Sequence, residues 1–302
     1  MSRSQASALA SGVPAPSVVV ELLKPITWFP PMWAFGCGVV SAGVPLRGKW
    51  HLVMAGVLLC GPLLCATSQA VNDWFDRHVD AINEPGRPIP SGRMPGRWGL
   101  YIAVLWSGLA AACGLALGPW VFGASVAGLL LAWAYSAPPL RLKRNGWWGN
   151  LACGVCYEGF AWVTGAAVVS GSAMPSLPIF YIAALYSLGA HGIMTLNDFK
   201  SVDGDKRMAI GSLPVRLGSE TAAHVACWVM ALPQVAVVCL LLYWNRPFHA
   251  CAVVLLLGAQ ALFMQRLLDN PRQLAPWYNG TGVSVYVLGM LVAAFALRGV
   301  AS

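Results

Sequence analysis

Long apolar runs alternate with short polar connections along the chain. About 20 consecutive apolar residues, wound as a helix, span the ~30 Å hydrocarbon core of a bilayer. Nine such runs occur, at 26–46, 51–72, 98–118, 119–137, 148–170, 177–197, 220–244, 248–268 and 278–298. Pro30, Pro31 and Pro233 fall inside runs; lipid-embedded helices tolerate proline where neighbours satisfy the freed carbonyl. The pattern predicts an all-α polytopic membrane protein with about nine transmembrane helices. Residues 1–24 read as a loose cytoplasmic tail without a long apolar targeting core. Residues 25–302 read as one transmembrane domain.

Composition agrees. The 302 residues are 58% hydrophobic and 10% charged, whereas soluble domains carry about 25% charge. The net charge of +8 reads as membrane orientation, and no nucleic-acid partner is expected. With nine spans, 15 of the 19 basic residues share one side with the N-terminus. By the positive-inside rule that side is cytoplasmic and the C-terminus lies opposite. All nine cysteines fall within or beside apolar runs, so no disulfide framework is expected. The Cys153/Cys156 pair reads as helix packing.

Acidic residues are the exception to this pattern. Seven of the eleven crowd into two loops: Asp73, Asp76, Asp80 and Glu84 after the second run, Asp198, Asp203 and Asp205 after the sixth. The clusters open alike, "NDWFD" at 72 and "NDFKS" at 197. Four runs and their connections separate them, which predicts two four-helix halves plus one added helix.

If the second helix continues past the membrane edge, Asp73, Asp76 and Asp80 lie within about 60° on one face. Carboxylates so placed repel one another unless a cation sits among them. Mg²⁺ suits them, taking few carboxylates and completing its shell with water and phosphate oxygens. In the second cluster Gly204 predicts an end or unwinding of the helix, leaving both Asp203 and Asp205 as candidate ligands. Arg87, Arg141, Lys143, Lys200, Lys206 and Arg207 flank the acids and suit phosphate oxygens. Carboxylates and cations on one face of an apolar bundle predict an isoprenyl diphosphate, head at the membrane rim and tail among the helices.

At these residues the sequence resembles the UbiA superfamily of intramembrane prenyltransferases. Asn72, Asp73, Asp76 and Asp80 match the family's NDxxDxxxD motif. "NDWFDRHVDAINEPGRPIPSG", "YSAPPLRLKRNGWWGN" and "NDFKSVDGDKRMAIGSLPVRLG" resemble the chlorophyll and bacteriochlorophyll synthase branch. The resemblance implies a nine-helix enzyme that esterifies a chlorophyllide-type propionate with geranylgeranyl or phytyl diphosphate. It implies catalytic roles for Asp73, Asp76 and Asp198, and a metal set of Asn72, Asp73, Asp76, Asp80, Asn197, Asp198 and Asp203. Arg87, Tyr135, Arg141, Lys143 and Lys200 are the expected diphosphate contacts. The expected setting is a bacterial inner or photosynthetic membrane, with other pigment-pathway membrane proteins as further partners.

Two intramembrane polar residues stand apart. Glu158 and His191 lie at bilayer depth, where ionisable groups mark functional sites, and are candidate pigment contacts. Competing readings are a UbiA-type enzyme acting on a quinone precursor or haem, and a cation-coupled transporter. A transporter would hold its site near the midplane between broken helices, whereas these acids sit at the rim.

Overall fold

The computed structural model describes residues 12–171 and 173–300. Residues 1–11 of the expected tail lie outside the described residues. The elements are α1 Pro16–Leu23, α2 Phe29–Ser41, α3 Trp50–Asn83, α4 Trp98–Leu117, α5 Pro119–Ser136, α6 Gly146–Val169 and α7 Leu177–Asp198. Two short helices follow, α8 Val202–Arg207 and α9 Leu213–Leu217. Then come α10 Ser219–Tyr243, α11 Pro247–Asp269 and α12 Pro271–Leu297.

All nine apolar runs form helices, yet among the described residues only eight are long and apolar enough to cross a membrane. The short one is α2, with 13 residues, or about 20 Å of rise. Pro25 interrupts the chain before it, leaving the separate turn Pro25–Thr27, and Pro30 and Pro31 fall in its first turn, where no N–H is needed. Residues 16–23, expected as loose tail, also form a helix. Pro16 starts α1, and Val18, Leu22 and Leu23 are buried among Ala66, Ala70 and Val71 of α3. That apolar stripe keeps the segment from being a free tail.

The core sits where α2, α6, α7 and α12 meet. Small residues let the backbones close up: a Cβ on Gly38 would stand 1.9 Å from the Trp162 carbonyl oxygen, and one on Gly165 would stand 2.0 Å from that of Phe35. Gly38→Ala would therefore force α2 off α6. Trp162 stacks on Tyr186 at 5.8 Å, and Tyr186 meets Tyr286 edge-on at 5.3 Å. The buried indole donates to Ser41 Oγ at 2.9 Å. Large apolar side chains such as Leu130 and Leu262 face outward, as lipid contact requires.

Two helices are locally widened into π-turns, at Leu59–Cys65 in α3 and Val155–Phe160 in α6. Pro62 lies in the first and removes a backbone donor. Such turns often accompany functional sites.

Candidate active site

α3 stays helical through Asn83 because nothing breaks it before Pro85. Its three aspartates therefore share one face, and each is met by cations. Lys24 Nζ, at the end of α1, lies 2.6 Å from Asp73 Oδ1. Arg87 reaches Asp73 at 3.3 Å and Asp80 at 2.8 Å, and forks onto Glu84 at 2.6 and 2.7 Å. Asp76 takes Lys143 and, at 3.3 Å, Arg141. Asn72 lies one turn before Asp76 and donates to it at 3.0 Å and to Ser136 at 3.3 Å.

The electrostatics outside the membrane follow. The Arg87 fork holds the Glu84 carboxyl below its ordinary range. Burial pushes the Lys143 ammonium below the usual lysine range, against the pull of Asp76. Burial also pushes the Asp205 carboxyl up, against the Ser212 and Ser201 hydroxyls and the nearby Lys143.

The second cluster is built differently. α7 ends at Asp198, six residues before Gly204, and Gly204, expected to mark the end, lies inside α8. Asn150 of α6 donates to Asp198 Oδ2 at 3.1 Å and to Thr195 at 3.2 Å. Asp203 and Asp205 stand about 200° apart on α8, so they face opposite ways. Asp205 Oδ2 accepts from Ser212 at 2.7 Å and Ser201 at 3.2 Å. Asp203 is 74% exposed and pairs with Arg272. Asp203, expected in the metal set, therefore turns to water, and Asp205 turns inward.

The two clusters face the same mouth. Lys143 binds Asp76 and lies within electrostatic range of Asp205; Glu84 senses Lys200. Asn83 packs beside Gly204. Beneath runs a slender cavity of about 210 Å³ between α3, α5 and α6. Asn72 and Tyr135 line its polar end, and both π-turns supply wall, among them Cys65, Cys156 and Tyr157. Gln69 fixes the Tyr157 hydroxyl at 3.1 Å.

The donors fit a hard divalent cation. They are carboxylate and amide oxygens, and Asp73 Oδ2 is buried without a partner. Among the described residues no three His, Cys, Asp or Glu side chains form a ready cage. Mg²⁺ needs none, because water and phosphate complete its shell.

These features, a helical NDxxDxxxD row, a second acidic cluster facing it and an apolar cavity below, coincide with one family, whose pattern matches residues 27–280. The chain belongs to the UbiA prenyltransferase family. It is 59% identical over 287 residues to "Bacteriochlorophyll synthase 33 kDa chain" of Cereibacter sphaeroides, covering 95% of each chain. It is 52% identical to the Rhodobacter capsulatus protein of the same name over 99% of each. It is 37% identical to "Chlorophyll synthase, chloroplastic" of Arabidopsis thaliana, over 92% of this chain and 73% of that one. The fold matches a UbiA homolog from Archaeoglobus fulgidus solved bound to GPP and Mg²⁺, with TM-score 0.72, 17% identity, and 91% and 99% coverage.

Within this prenyltransferase, Arg87, Arg141 and Lys143, the expected diphosphate contacts, bind carboxylates of the first cluster, Tyr135 lines the cavity, and Lys200 is exposed beside Asp198 and Glu84. Asn197 turns to Asn279 of α12 at 2.8 Å, about 100° around the helix from Asp198. Glu158 is buried near Cys37 and Tyr286, outside the cavity lining. His191 is 6% exposed, against Trp147 at 5.5 Å, with Nδ1 unpartnered. Sequence reasoning missed Asn150, Ser136 and Lys24 as partners of the acids. Asn150 carried a signal, an amide at the start of an apolar run; Lys24 carried none.

Proposed function

We propose that this prenyltransferase esterifies the propionate of a chlorophyllide-type pigment with geranylgeranyl or phytyl diphosphate and releases diphosphate. Identity above 50% to bacteriochlorophyll synthases over nearly the whole chain supports the choice of acceptor. The observation that supports the chemistry is the closeness of the two clusters, with Lys143 bound to Asp76 and near Asp205 and Asn83 beside Gly204, next to an apolar cavity lined by Asn72.

Asp73, Asp76 and Asp198 would hold Mg²⁺, assisted by Asn72, Asp80 and Asp205. Bound there, the metal would neutralise the leaving diphosphate and so favour cleavage of the allylic C–O bond. Arg87, Arg141 and Lys143 turn from carboxylates to phosphate oxygens, joined by the exposed Lys200, and stabilise the charge that develops on them. Tyr135 and Tyr157 face the allylic carbon and keep water from it; their rings are suited to a cation. The acceptor needs no protein base, since a carboxyl with a reference pKa of about 4.3 is already ionised at pH 7. One propionate oxygen forms the new bond to C1 of the tail as the diphosphate oxygen departs. His191 and the adjacent Trp147 contact the pigment; Glu158, set near α2 and α12, contributes to packing.

The clusters and α1 lie on the cytoplasmic side of a bacterial photosynthetic membrane, with the end of α12 opposite. Purified protein incubated with Mg²⁺, geranylgeranyl diphosphate and each pigment acid should yield an ester of the summed mass less diphosphate. Absence of product with every pigment acid would refute the reading. A reporter fused to the C-terminus should stay silent in the cytoplasm.

A further inference from the structure

The end of the bundle away from the acidic clusters is closed chiefly by the connections 42–49, 170–176 and 244–246 and by residues 298–300 past α12. These stretches carry four cations, Arg47, Lys49, Arg246 and Arg298, and not one Asp or Glu. Basic residues are sparse on one side of a membrane protein, so those kept on the poor side call for a reason. Lys49 has one: its Nζ donates to the Val169 carbonyl at 2.7 Å and caps the end of α6. Among the described residues neither Arg246 nor Arg298 enters an ion pair.

The two arginines are packed at one corner. The turn from α10 to α11 closes at Asn245, whose φ of 56° asparagine tolerates, and the Arg246 N–H returns to the Leu241 carbonyl at 2.8 Å. The Arg246 guanidinium then lies against Gly299, where a Cβ would stand 2.1 Å from Nη2. Its Nε is buried without a partner. Gly43, at φ 66°, meets the Arg298 backbone from the other side; a Cβ there would stand 2.9 Å from the Arg298 carbonyl oxygen. The Arg298 guanidinium lies over the Phe295 ring at 5.9 Å, on an exposed residue. Two glycines thus seat two arginines at the end of α12. Like charges so placed repel unless an anion lies among them.

We infer that this corner binds the phosphodiester headgroup of an anionic membrane lipid, with Arg246 and Arg298 on its oxygens. Guanidinium groups suit phosphate oxygens, which they can grip in pairs. The depth fits a lipid: Tyr243, three residues before Arg246, is 81% exposed, and exposed tyrosine marks the headgroup level. An apolar path leads away from it. Phe248, Leu255 and Leu262 are all exposed and stand seven residues apart on one face of α11, where acyl chains can lie. The site is at the opposite end from the acidic clusters and is independent of the transfer proposed there.

The test titrates the full-length protein, in neutral detergent, with phosphatidylglycerol or phosphatidylcholine and counts bound lipid by native mass spectrometry. Wild type should retain phosphatidylglycerol at concentrations where phosphatidylcholine is lost. Arg246→Gln should weaken the anionic lipid about fivefold, and Arg246→Gln with Arg298→Gln about 25-fold, the scale for one and two cations at an anionic surface. Gly299→Ala keeps the net charge and only pushes the guanidinium aside; it should weaken phosphatidylglycerol several-fold and leave phosphatidylcholine unchanged. The variants act at different positions, so misfolding of one leaves the others to decide. Equal retention of both lipids by wild type overturns the site. Gly299→Ala binding like wild type overturns the seat and leaves only diffuse surface charge. Inorganic phosphate that displaces phosphatidylglycerol at equal concentration overturns the lipid as the source of the phosphate.

Discussion

The two acidic clusters open with the same Asn-Asp pair and are neutralised in opposite ways. On α3 the carboxylates Asp73, Asp76, Asp80 and Glu84 meet Lys24, Arg87, Arg141 and Lys143. At the end of α7, Asp198 and Asp205 are held by Asn150, Ser201 and Ser212, neutral donors that orient a carboxylate without cancelling its charge. On the proposed reading, the cations of the first cluster leave their carboxylates when a diphosphate arrives with its metal. The second cluster keeps a preset geometry and an uncancelled charge. On that reading one cluster exchanges partners and the other is a fixed anchor.

Removing a carboxylate from either side should have the largest effect. Asp73→Ala and Asp198→Ala should each lower Mg²⁺-dependent transfer by roughly 10²–10³-fold or more, the scale of losing a preorganised electrostatic contact. Chelation with EDTA should match them, and membrane insertion should persist. Full activity in both variants would sink the metal assignment.

Next comes a pair that separates the anchor from its neighbour. Asp205→Asn should lower activity about 10–100-fold, as for groups that orient or complete a metal shell. Asp203→Asn, at an exposed residue facing Arg272, should stay within about twofold, as such surface pairs contribute little. Steady-state assays across Mg²⁺ concentrations decide the pair; the reverse ranking would return Asp203 to the site. On the exchanging side, Lys143→Met should raise KM for the donor about tenfold, the loss of one charged contact, and flatten the salt dependence of donor binding. An unchanged KM would remove Lys143 from the phosphate contacts.

What the sequence reveals follows the same contrast. The Asp73, Asp76, Asp80 face was legible because helix period alone fixes it. Asp203 against Asp205 was not, because the choice depends on α8 starting at Val202, a boundary set by packing. Lys24 sits 49 residues from Asp73, and only the docking of α1 onto α3 brings them together. The helix of the first run is shorter than the run itself, because Pro25, Pro30 and Pro31 confine it to the 13 residues of α2. Neither π-turn was legible, since hydrophobic periodicity does not register one inserted residue.

The smallest effect concerns the strap that holds α1 over the exchanging cluster. Arg93 forks onto Glu21 of α1 and reaches the Gly86 carbonyl at 2.6 Å, so it ties α1 to the loop carrying Arg87. At the second cluster the comparable ion pair, Asp203 with Arg272, ties α8 to α12 instead. The Arg93 hydrogen bond holds the Glu21 carboxyl below its ordinary value of 4.5. A depressed carboxyl contributes stability that is present above the unfolded value and lost as pH falls through the folded one. Glu21→Gln should therefore lower the thermal midpoint slightly at pH 7, by the equivalent of under about 1 kcal/mol for so exposed a pair. The gap between variant and wild type should close as pH drops below about 4. A gap that persists in acid would mean that Glu21 acts through packing, and that α1 is held by its apolar stripe alone.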